Sequence, residues 1–210
     1  DTSRIFANWH DDPSDPQNYY FEQTDDYLLN TIAQGTDIVY RLGVSIEHSI
    51  KKYAAVAPED YAKFAEICAG VIRHYNKGWA DGYHLNIKYW EVWNEPDCVP
   101  NMWEKSMNDY YEMYAVVAKR LKSEFPEIRI GGLVTTHLNQ EYIMSFLGKC
   151  ITENAPVDFI SWHKYGAVVQ DFVAEPFRAR ALLDAFGFRQ TELHLNEWHY
   201  LPCSWSAIRS

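Results

Sequence analysis

Apolar residues recur with two different spacings along this chain. From about residue 25, stretches in which apolar positions repeat at helical spacing alternate with short runs in which most positions are apolar. Helical spacing indicates an amphipathic helix, and a short apolar run bounded by turn residues indicates a buried strand. The pattern therefore predicts helices over 25–35, 57–78, 107–125, 140–154 and 175–187, and strands over 37–46, 87–93, 128–135, 157–163 and 192–198.

The predicted strands are apolar on both faces and are separated by helices, which is typical of parallel strands covered on both sides. One strand recurs roughly every 30 to 50 residues, close to the rhythm of a (β/α)8 barrel. The predicted fold class is therefore α/β, a (β/α)8 TIM barrel formed by residues 1–210 as one domain.

The chain is short for a complete barrel, which takes about 250 residues. We therefore expect the first and last strands to be missing or reduced, with 18–24 as a candidate for a sixth strand. The chain also starts without an initiator Met, so the sequence is expected to be a segment of a longer protein.

Two predicted strands end in a glutamate that directly follows an asparagine: Glu95 in KYWEVWNEPD and Glu197 in LHLNEW. The carboxyl ends of parallel barrel strands meet at one rim, where the active site lies, so both carboxylates are expected there. Two facing carboxylates are the minimal equipment for cleaving a glycosidic bond, and their separation sets the stereochemistry. A gap of about 5–5.5 Å retains the anomeric configuration, and one of about 6.5–9.5 Å inverts it.

If the WNEP strand is counted as the fourth of a barrel, LHLNEW is the seventh. A Glu after Asn on strand four with a second Glu on strand seven resembles the clan of retaining glycoside hydrolases built on (β/α)8 barrels. Within that clan, EVWNEPD and NEW are most similar to glycoside hydrolase family 39, the β-xylosidases and α-L-iduronidases. The resemblance implies that residues 1–210 form a catalytic domain in which Glu95 is the general acid/base and Glu197 is the nucleophile.

The resemblance also implies further contacts to the sugar. Asn94 would bind the 2-hydroxyl group, and His163 or Tyr165 would orient the nucleophile or the sugar. Arg41, at the end of the first clear strand, is equally well a substrate ligand or a structural partner. Three tryptophans near strand ends are candidates for the walls of sugar subsites: Trp93, Trp162 and Trp198. No cofactor and no metal ion are required by this chemistry.

Composition narrows the classes of partner. The net charge of -10 argues against nucleic acid, which is bound through clustered Lys and Arg. Aromatic residues make up 16% of the chain and suit the apolar faces of a carbohydrate substrate. No apolar run approaches the roughly 20 residues that a membrane helix needs, and no signal peptide is recognisable at the start. The sequence leaves the location and the oligomeric state open, although degraders of polysaccharides are commonly secreted or periplasmic.

The four cysteines form no metal or redox motif. Cys68 and Cys150 fall within predicted helices and are expected to be buried as small apolar residues. Cys98 and Cys203 fall in predicted loops, where a disulfide between them is conceivable but is not established by the sequence.

Several other interpretations compete with the glycosidase. Glu95 could be a residue at a helix amino terminus, Glu197 could form a salt bridge with Arg41, and His163 could be a core histidine. At the level of function, the barrel could bind sugar without cleaving it, or it could be a metal-dependent hydrolase on the same fold. The metal hypothesis draws on scattered imidazoles and carboxylates without a recognised spacing: His10, Asp11, Asp12, His163 and His199.

Overall fold

Five parallel strands form one sheet in the order β1-β2-β3-β4-β5, each reached from the strand before it through a helix. The structure is a computed structural model that describes residues 2–43 and 56–201. Its strands are β1 (Val39–Leu42), β2 (Tyr89–Val92), β3 (Arg129–Thr135), β4 (Phe159–Gly166) and β5 (Glu192–Tyr200). Its helices are α1 (Thr2–Ile5), α2 (Glu22–Ala33), α3 (Tyr61–Lys77), α4 (Met107–Glu124), α5 (Gln140–Glu153) and α6 (Val169–Ala185).

This alternation confirms the predicted α/β class and a partial (β/α)8 barrel. In the numbering used above, β1 to β5 correspond to strands three to seven. The prediction of a sixth strand over 18–24 is wrong, because the chain there forms a 3-10 turn (Pro16–Asn18) and then α2. The Asp15 side chain caps that turn by accepting a hydrogen bond from the Gln17 amide (2.9 Å), which favours helical over extended backbone.

Helices α3 and α6 begin at other residues than the pattern predicts. Helix α3 begins at Tyr61, after Pro58, because the Asp60 side chain caps it by accepting hydrogen bonds from two following amides. Helix α6 begins at Val169 and continues through Pro176, which was expected near its start. One lost backbone hydrogen bond is tolerated there because Ala179 and Leu183 anchor the helix in the core. The predicted first strand continues past β1 into residues 44–46, which lie outside the described residues.

The helices cover the outer face of the sheet, and the main core lies between them and the strands. Helix α4 approaches β3 so closely that a Cβ at Gly132 would lie 2.7 Å from the Tyr110 hydroxyl, so a glycine is required there. The Tyr110 hydroxyl donates to the Val92 carbonyl (3.0 Å) and accepts from the Leu133 amide (2.9 Å). One buried tyrosine thereby joins the carboxyl ends of β2 and β3, next to the loops that form the site.

The predictions for the helical cysteines are confirmed: Cys68 in α3 and Cys150 in α5 are buried. Burial raises the pKa of the Cys150 thiol to about 12. Cys203 lies outside the described residues, so its pairing with Cys98 stays a prediction. Across 2–43 and 56–201, none of the helices has the length and apolar character needed to cross a bilayer.

Candidate active site

The backbone after β2 makes two left-handed turns that lead to Glu95. Trp93 has φ 72° and Glu95 has φ 44°, a region that residues other than glycine rarely occupy. The Trp93 amide donates to the Leu42 carbonyl (2.7 Å), and the Glu95 amide donates to the Val134 carbonyl (2.9 Å). Hydrogen bonds to both neighbouring strands thus hold a strained backbone that directs Glu95 toward the rim, as is common where a side chain has a chemical task.

Glu95 and Glu197 face each other across His163. One carboxylate oxygen of each glutamate and a ring nitrogen of His163 all lie within 4.8 Å of one another. His163 Nδ1 is 2.8 Å from Glu95 Oε1 and 3.6 Å from Glu197 Oε2. The prediction that both carboxylates share one rim is therefore met in the structure. Retaining glycosidases keep their two carboxyl groups about 5–5.5 Å apart and inverting ones about 6.5–9.5 Å, and the nearest oxygens of Glu95 and Glu197 lie on the short side of that division.

Tyr165 holds the second glutamate. Its hydroxyl donates to Glu197 Oε1 (2.8 Å), and Glu197 Oε2 is the oxygen nearer to His163. Burial, followed by the hydrogen bond and charge of Glu197 and the charge of Glu95, raises the pKa of Tyr165 to about 12. The hydroxyl therefore stays protonated near neutral pH and remains a donor to Glu197.

His163 and Asn94 are fully buried and carry polar atoms without a hydrogen-bond partner among the described residues. His163 Nε2 has none, whereas Nδ1 faces the carboxylates. A proton on Nε2 would be buried without an acceptor, so the neutral tautomer with its proton on Nδ1 fits best. Both amide atoms of Asn94 are unpartnered. A sugar hydroxyl could satisfy them only after a neighbouring group moves, because Asn94 has no exposed surface.

A β-bulge decides which side chains of β5 enter the site. Trp162 pairs with Leu195 but His163 pairs with Glu197, so Asn196 is an extra residue in β5. The bulge lets Asn196 and Glu197 point to the same face of the sheet, which strict alternation would forbid.

The same bulge turns Trp198 away from Glu197. Trp198 lies beside Phe172 of α6, with ring centroids 6.1 Å apart, and is 62% exposed. The ring therefore lies on the helix side of the strand, and its contact with a sugar stays a prediction. Trp162 is also on that side, where its indole donates to Glu175 of α6 (3.1 Å). Trp93 is buried, and its indole donates to the Met102 carbonyl (2.8 Å).

Arg41 lies below the rim, on the strand next to β2. Its Nε donates to Glu91 Oε2 (2.7 Å), and the Asn196 side chain donates to Glu91 Oε1 (2.6 Å). Of the two roles that the sequence left open for Arg41, this geometry favours the structural partner. The alternative in which Glu197 forms a salt bridge with Arg41 is not seen among the described residues, where the guanidinium binds Glu91.

Sequence reasoning missed Glu91. Its signal was available, since Glu91 is a carboxylate inside the apolar run Tyr89–Val92, and a charge within a buried strand needs a partner. The partner could not be named, because Asn196 is 105 positions away.

Glu95, His163 and Glu197 have the donor atoms that a divalent metal ion accepts. The metal hypothesis drawn from the sequence named five residues. Among the described residues, His163 is the one of these five that belongs to the cluster of Glu95, His163 and Glu197. Asp11 and Asp12 instead accept local hydrogen bonds from Asn8 and Ser14, as in a turn. The prediction that no metal is required stays a prediction.

Residues 27–185 match the family described as Glycosyl hydrolases family 39. A beta-xylosidase of Geobacillus stearothermophilus is 30% identical over 164 residues, covering 68% of this chain and 32% of that protein. A glucosidase structure from Croceicoccus marinus matches 95% of this chain and 42% of its own at TM-score 0.84 and 29% identity.

A third relative shows the fold alone. The structure of a monomeric beta-xylosidase from Caulobacter crescentus CB15 matches 89% of this chain and 42% of its own, with TM-score 0.72 and 21% identity. This chain spans less than half the length of each of these three relatives.

Proposed function

Because this chain belongs to glycoside hydrolase family 39, we propose that it carries the two catalytic carboxylates of a retaining, β-xylosidase-like glycosidase. The observation that carries the proposal is the short separation of Glu95 and Glu197, with ligand atoms of both and of His163 within 4.8 Å of one another. This spacing suits a double displacement, in which the enzyme forms a covalent bond to the sugar and then hydrolyses it.

In the first step, a Glu197 oxygen attacks the anomeric carbon while Glu95 gives its proton to the leaving oxygen. The bond from the anomeric carbon to that oxygen breaks, and a glycosyl ester on Glu197 forms. Oε2 is the better placed nucleophile, because Oε1 accepts the hydrogen bond from Tyr165. That hydrogen bond stabilises the carboxylate and fixes the plane in which Oε2 points.

In the second step, Glu95, now ionised, takes a proton from water as the water oxygen attacks the anomeric carbon. The ester bond to Glu197 breaks, and the sugar leaves with its original configuration. The proton from water replaces the one that left with the leaving group, so Glu95 is again protonated and the cycle closes without any external acid.

His163 positions the acid/base in this scheme. Its Nδ1–H donates to Glu95 Oε1 (2.8 Å), which leaves the other oxygen to carry the catalytic proton. His163 is buried, so the hydrogen bond is shielded from competing water. Asn94 is proposed to bind the sugar 2-hydroxyl, which would supply the partner that its amide lacks.

For the substrate, we propose the glycosidic bond of a β-xyloside in a plant-type oligosaccharide or polysaccharide. The named activity of the Geobacillus relative supports xylose, and the Croceicoccus relative makes a glucoside the necessary comparison. Glucose differs from xylose by one hydroxymethyl group, so the rates on the two substrates show whether the sugar subsite has room for that group.

The test uses the full-length protein with aryl β-xylosides, β-glucosides and α-L-iduronides. We expect turnover of the β-xyloside, with the β-anomer of xylose as the first product detected by proton NMR. A 2-deoxy-2-fluoro xyloside with a dinitrophenyl leaving group should label Glu197, as located by mass spectrometry of peptides.

Three outcomes would overturn the proposal. An inverted first product would show that water attacks directly. Loss of activity on chelation, with recovery on adding metal, would favour the metal-dependent hydrolase that the Glu95, His163 and Glu197 donors allow. Binding of xylose oligomers by a folded protein that releases no product would favour a sugar-binding barrel.

A further inference from the structure

We infer that Glu91 and Asn196 form a strut across the barrel interior that sets the position of Glu197. Asn196 Nδ2 donates to Glu91 Oε1 at 2.6 Å, and this bond joins β2 to β5, which are separated by β3 and β4 in the sheet. Glu91 belongs to the strand that leads to Glu95, and Asn196 directly precedes Glu197. The strut therefore links the two strands that carry the proposed acid/base and nucleophile.

Glu91 is a suitable fixed end for the strut. Its side chain is 1% exposed, and its other oxygen accepts from Arg41 Nε at 2.7 Å. Arg41 and Glu91 are also direct partners in the register of β1 and β2. A guanidinium is charged at every working pH, so Arg41 is a permanent cationic partner that holds one oxygen of Glu91 while the other faces Asn196. A charged acceptor gives Asn196 a stronger hydrogen bond than a neutral acceptor would.

The other end of the strut is the β-bulge. Asn196 is the extra residue between the pairs Trp162–Leu195 and His163–Glu197. Because Asn196 is held inward by Glu91, the next residue can also face inward, and Glu197 reaches the Tyr165 hydroxyl. Without this anchor, β5 could return to regular alternation, which would turn Glu197 toward the helix side. Glu91 and Asn196 are thus positioning residues that act through Glu197.

This inference rests on the proposed function, and the test separates the two. The full-length protein is treated with the 2-deoxy-2-fluoro xyloside, and the rate and final extent of Glu197 labelling are measured. In Asn196→Ala we expect the labelling rate per active site to fall by about 10- to 100-fold, the cost of misplacing a reacting group by about an ångström. The final extent of labelling counts competent sites, so partial unfolding cannot imitate this slower rate.

The chain offers a matched control at the other end of the same two strands. The Tyr89 hydroxyl donates to Glu192 Oε2 at 3.0 Å, which also joins β2 to β5. Tyr89→Phe removes this bond without touching the bulge. Distant sites without shared partners act independently, so we expect the labelling rate of Tyr89→Phe to stay within about 2-fold of wild type. Asn196→Asp keeps the shape of Asn196 but sets two carboxyl groups against each other, and it should be at least as slow as Asn196→Ala.

Two results would overturn the inference. One is equal labelling rates in wild type, Asn196→Ala and Asn196→Asp, with Glu197 labelled in all three; the proposed function would then stand without the strut. The other is an equal slowing in Tyr89→Phe, which would show only that β2 and β5 need to be joined. A wild-type protein that is never labelled would instead refute the proposed function.

A crystal structure of Asn196→Ala shows, independently of turnover, whether Asn196 holds the bulge that positions Glu197. We expect the bulge to relax and Glu197 to lose its hydrogen bond to Tyr165. An unchanged bulge, with Glu197 still bonded to Tyr165, would also overturn the inference.

Discussion

Glu91 and Glu95 lie on the same short stretch of chain, yet they have opposite surroundings. Glu91 is 1% exposed and is bound by the permanent cation of Arg41 and by the Asn196 amide. Glu95 is 17% exposed and is bound by His163, and the described residues place no Lys or Arg against it or against Glu197. Glu91 thus has a permanent cation as its partner, whereas the partners of Glu95 and Glu197 are an imidazole and a hydroxyl group.

One barrel thus uses glutamate in two ways, in the interior and at the rim. The carboxylate bound by a guanidinium in the interior stabilises the arrangement of strands, and the carboxylates bound by His163 and Tyr165 at the rim are left available for chemistry. The following variants test this contrast, beginning with the largest expected effect.

Glu197→Gln should show the largest effect, because it removes the proposed nucleophile. We expect kcat for every aryl xyloside to fall by roughly 10⁴-fold or more, the order that loss of a covalent nucleophile costs. Glu192→Gln, also on β5 but bonded to Tyr89 at the other end of the barrel, is the control. The contrast fails if Glu192→Gln slows turnover as much as Glu197→Gln.

Glu95→Gln should lower kcat according to the leaving group. For a poor leaving group such as an alkyl alcohol, we expect a loss of about 10²- to 10⁴-fold, the usual contribution of a general acid. A dinitrophenyl leaving group needs no proton, so glycosylation of the enzyme should be much less affected. Equal losses on both substrates in pre-steady-state assays would mean that Glu95 is not the acid.

Glu91→Gln should change stability more than either rim variant. It leaves Arg41 without its anionic partner, and we expect a loss of roughly 3 kcal/mol in the free energy of unfolding, near the lower end for a broken buried pair. Arg41 keeps 24% side-chain exposure, which limits the cost. Urea unfolding of wild type, Glu91→Gln and Glu95→Gln measures this. Equal destabilisation by the two variants would remove the distinction between interior and rim.

Tyr165→Phe should lower kcat by about 10- to 100-fold, because a hydrogen bond to a charged group is worth roughly 1.5–3 kcal/mol. Burial and then Glu197 raise the Tyr165 pKa to about 12, so the hydroxyl does not titrate in the working range. The wild-type pH–rate profile should therefore have no alkaline limb from Tyr165. If Tyr165→Phe abolishes such a limb, Tyr165 titrates and the assigned role is wrong.

Glu124, a carboxylate on the outer surface, should show the smallest change in stability when it is replaced. Glu124 of α4 is bound by Arg73 of α3 and by Arg120, and these hydrogen bonds lower its pKa, with Arg73 the larger cause. A pKa lowered in the folded state contributes stability above the ordinary value of 4.5 and loses it as the pH falls through the folded value. Because water reaches Glu124, we expect Glu124→Gln to cost about 1 kcal/mol at neutral pH.

The stability difference between wild type and Glu124→Gln should be constant above about pH 5.5 and shrink below the ordinary pKa. Thermal unfolding at a series of pH values measures it. A difference that grows on acidification would reverse the sign and would falsify the assigned cause.

The succession of strands and helices could be predicted from the sequence alone, since apolar periodicity indicates which faces are buried, whatever packs against them. The sequence also predicted that Glu95 and Glu197 lie at one rim, because each comes at the carboxyl end of a predicted parallel strand. The candidate strand at 18–24 failed because Asn18 ends a 3-10 turn and α2 begins at Glu22, which leaves too few residues between them for a strand.

Which side chains are in contact could be learned from the tertiary structure alone. The strut between Glu91 and Asn196 joins residues 105 positions apart, and no local pattern reports such a pair. The bulge at Asn196 overrides the alternation that a strand sequence implies, so Glu197 enters the site and Trp198 leaves it. Sequence periodicity depends on local burial, whereas a buried charge chooses its partner by distance and orientation across the fold, which become defined only when the strands have curled around one interior.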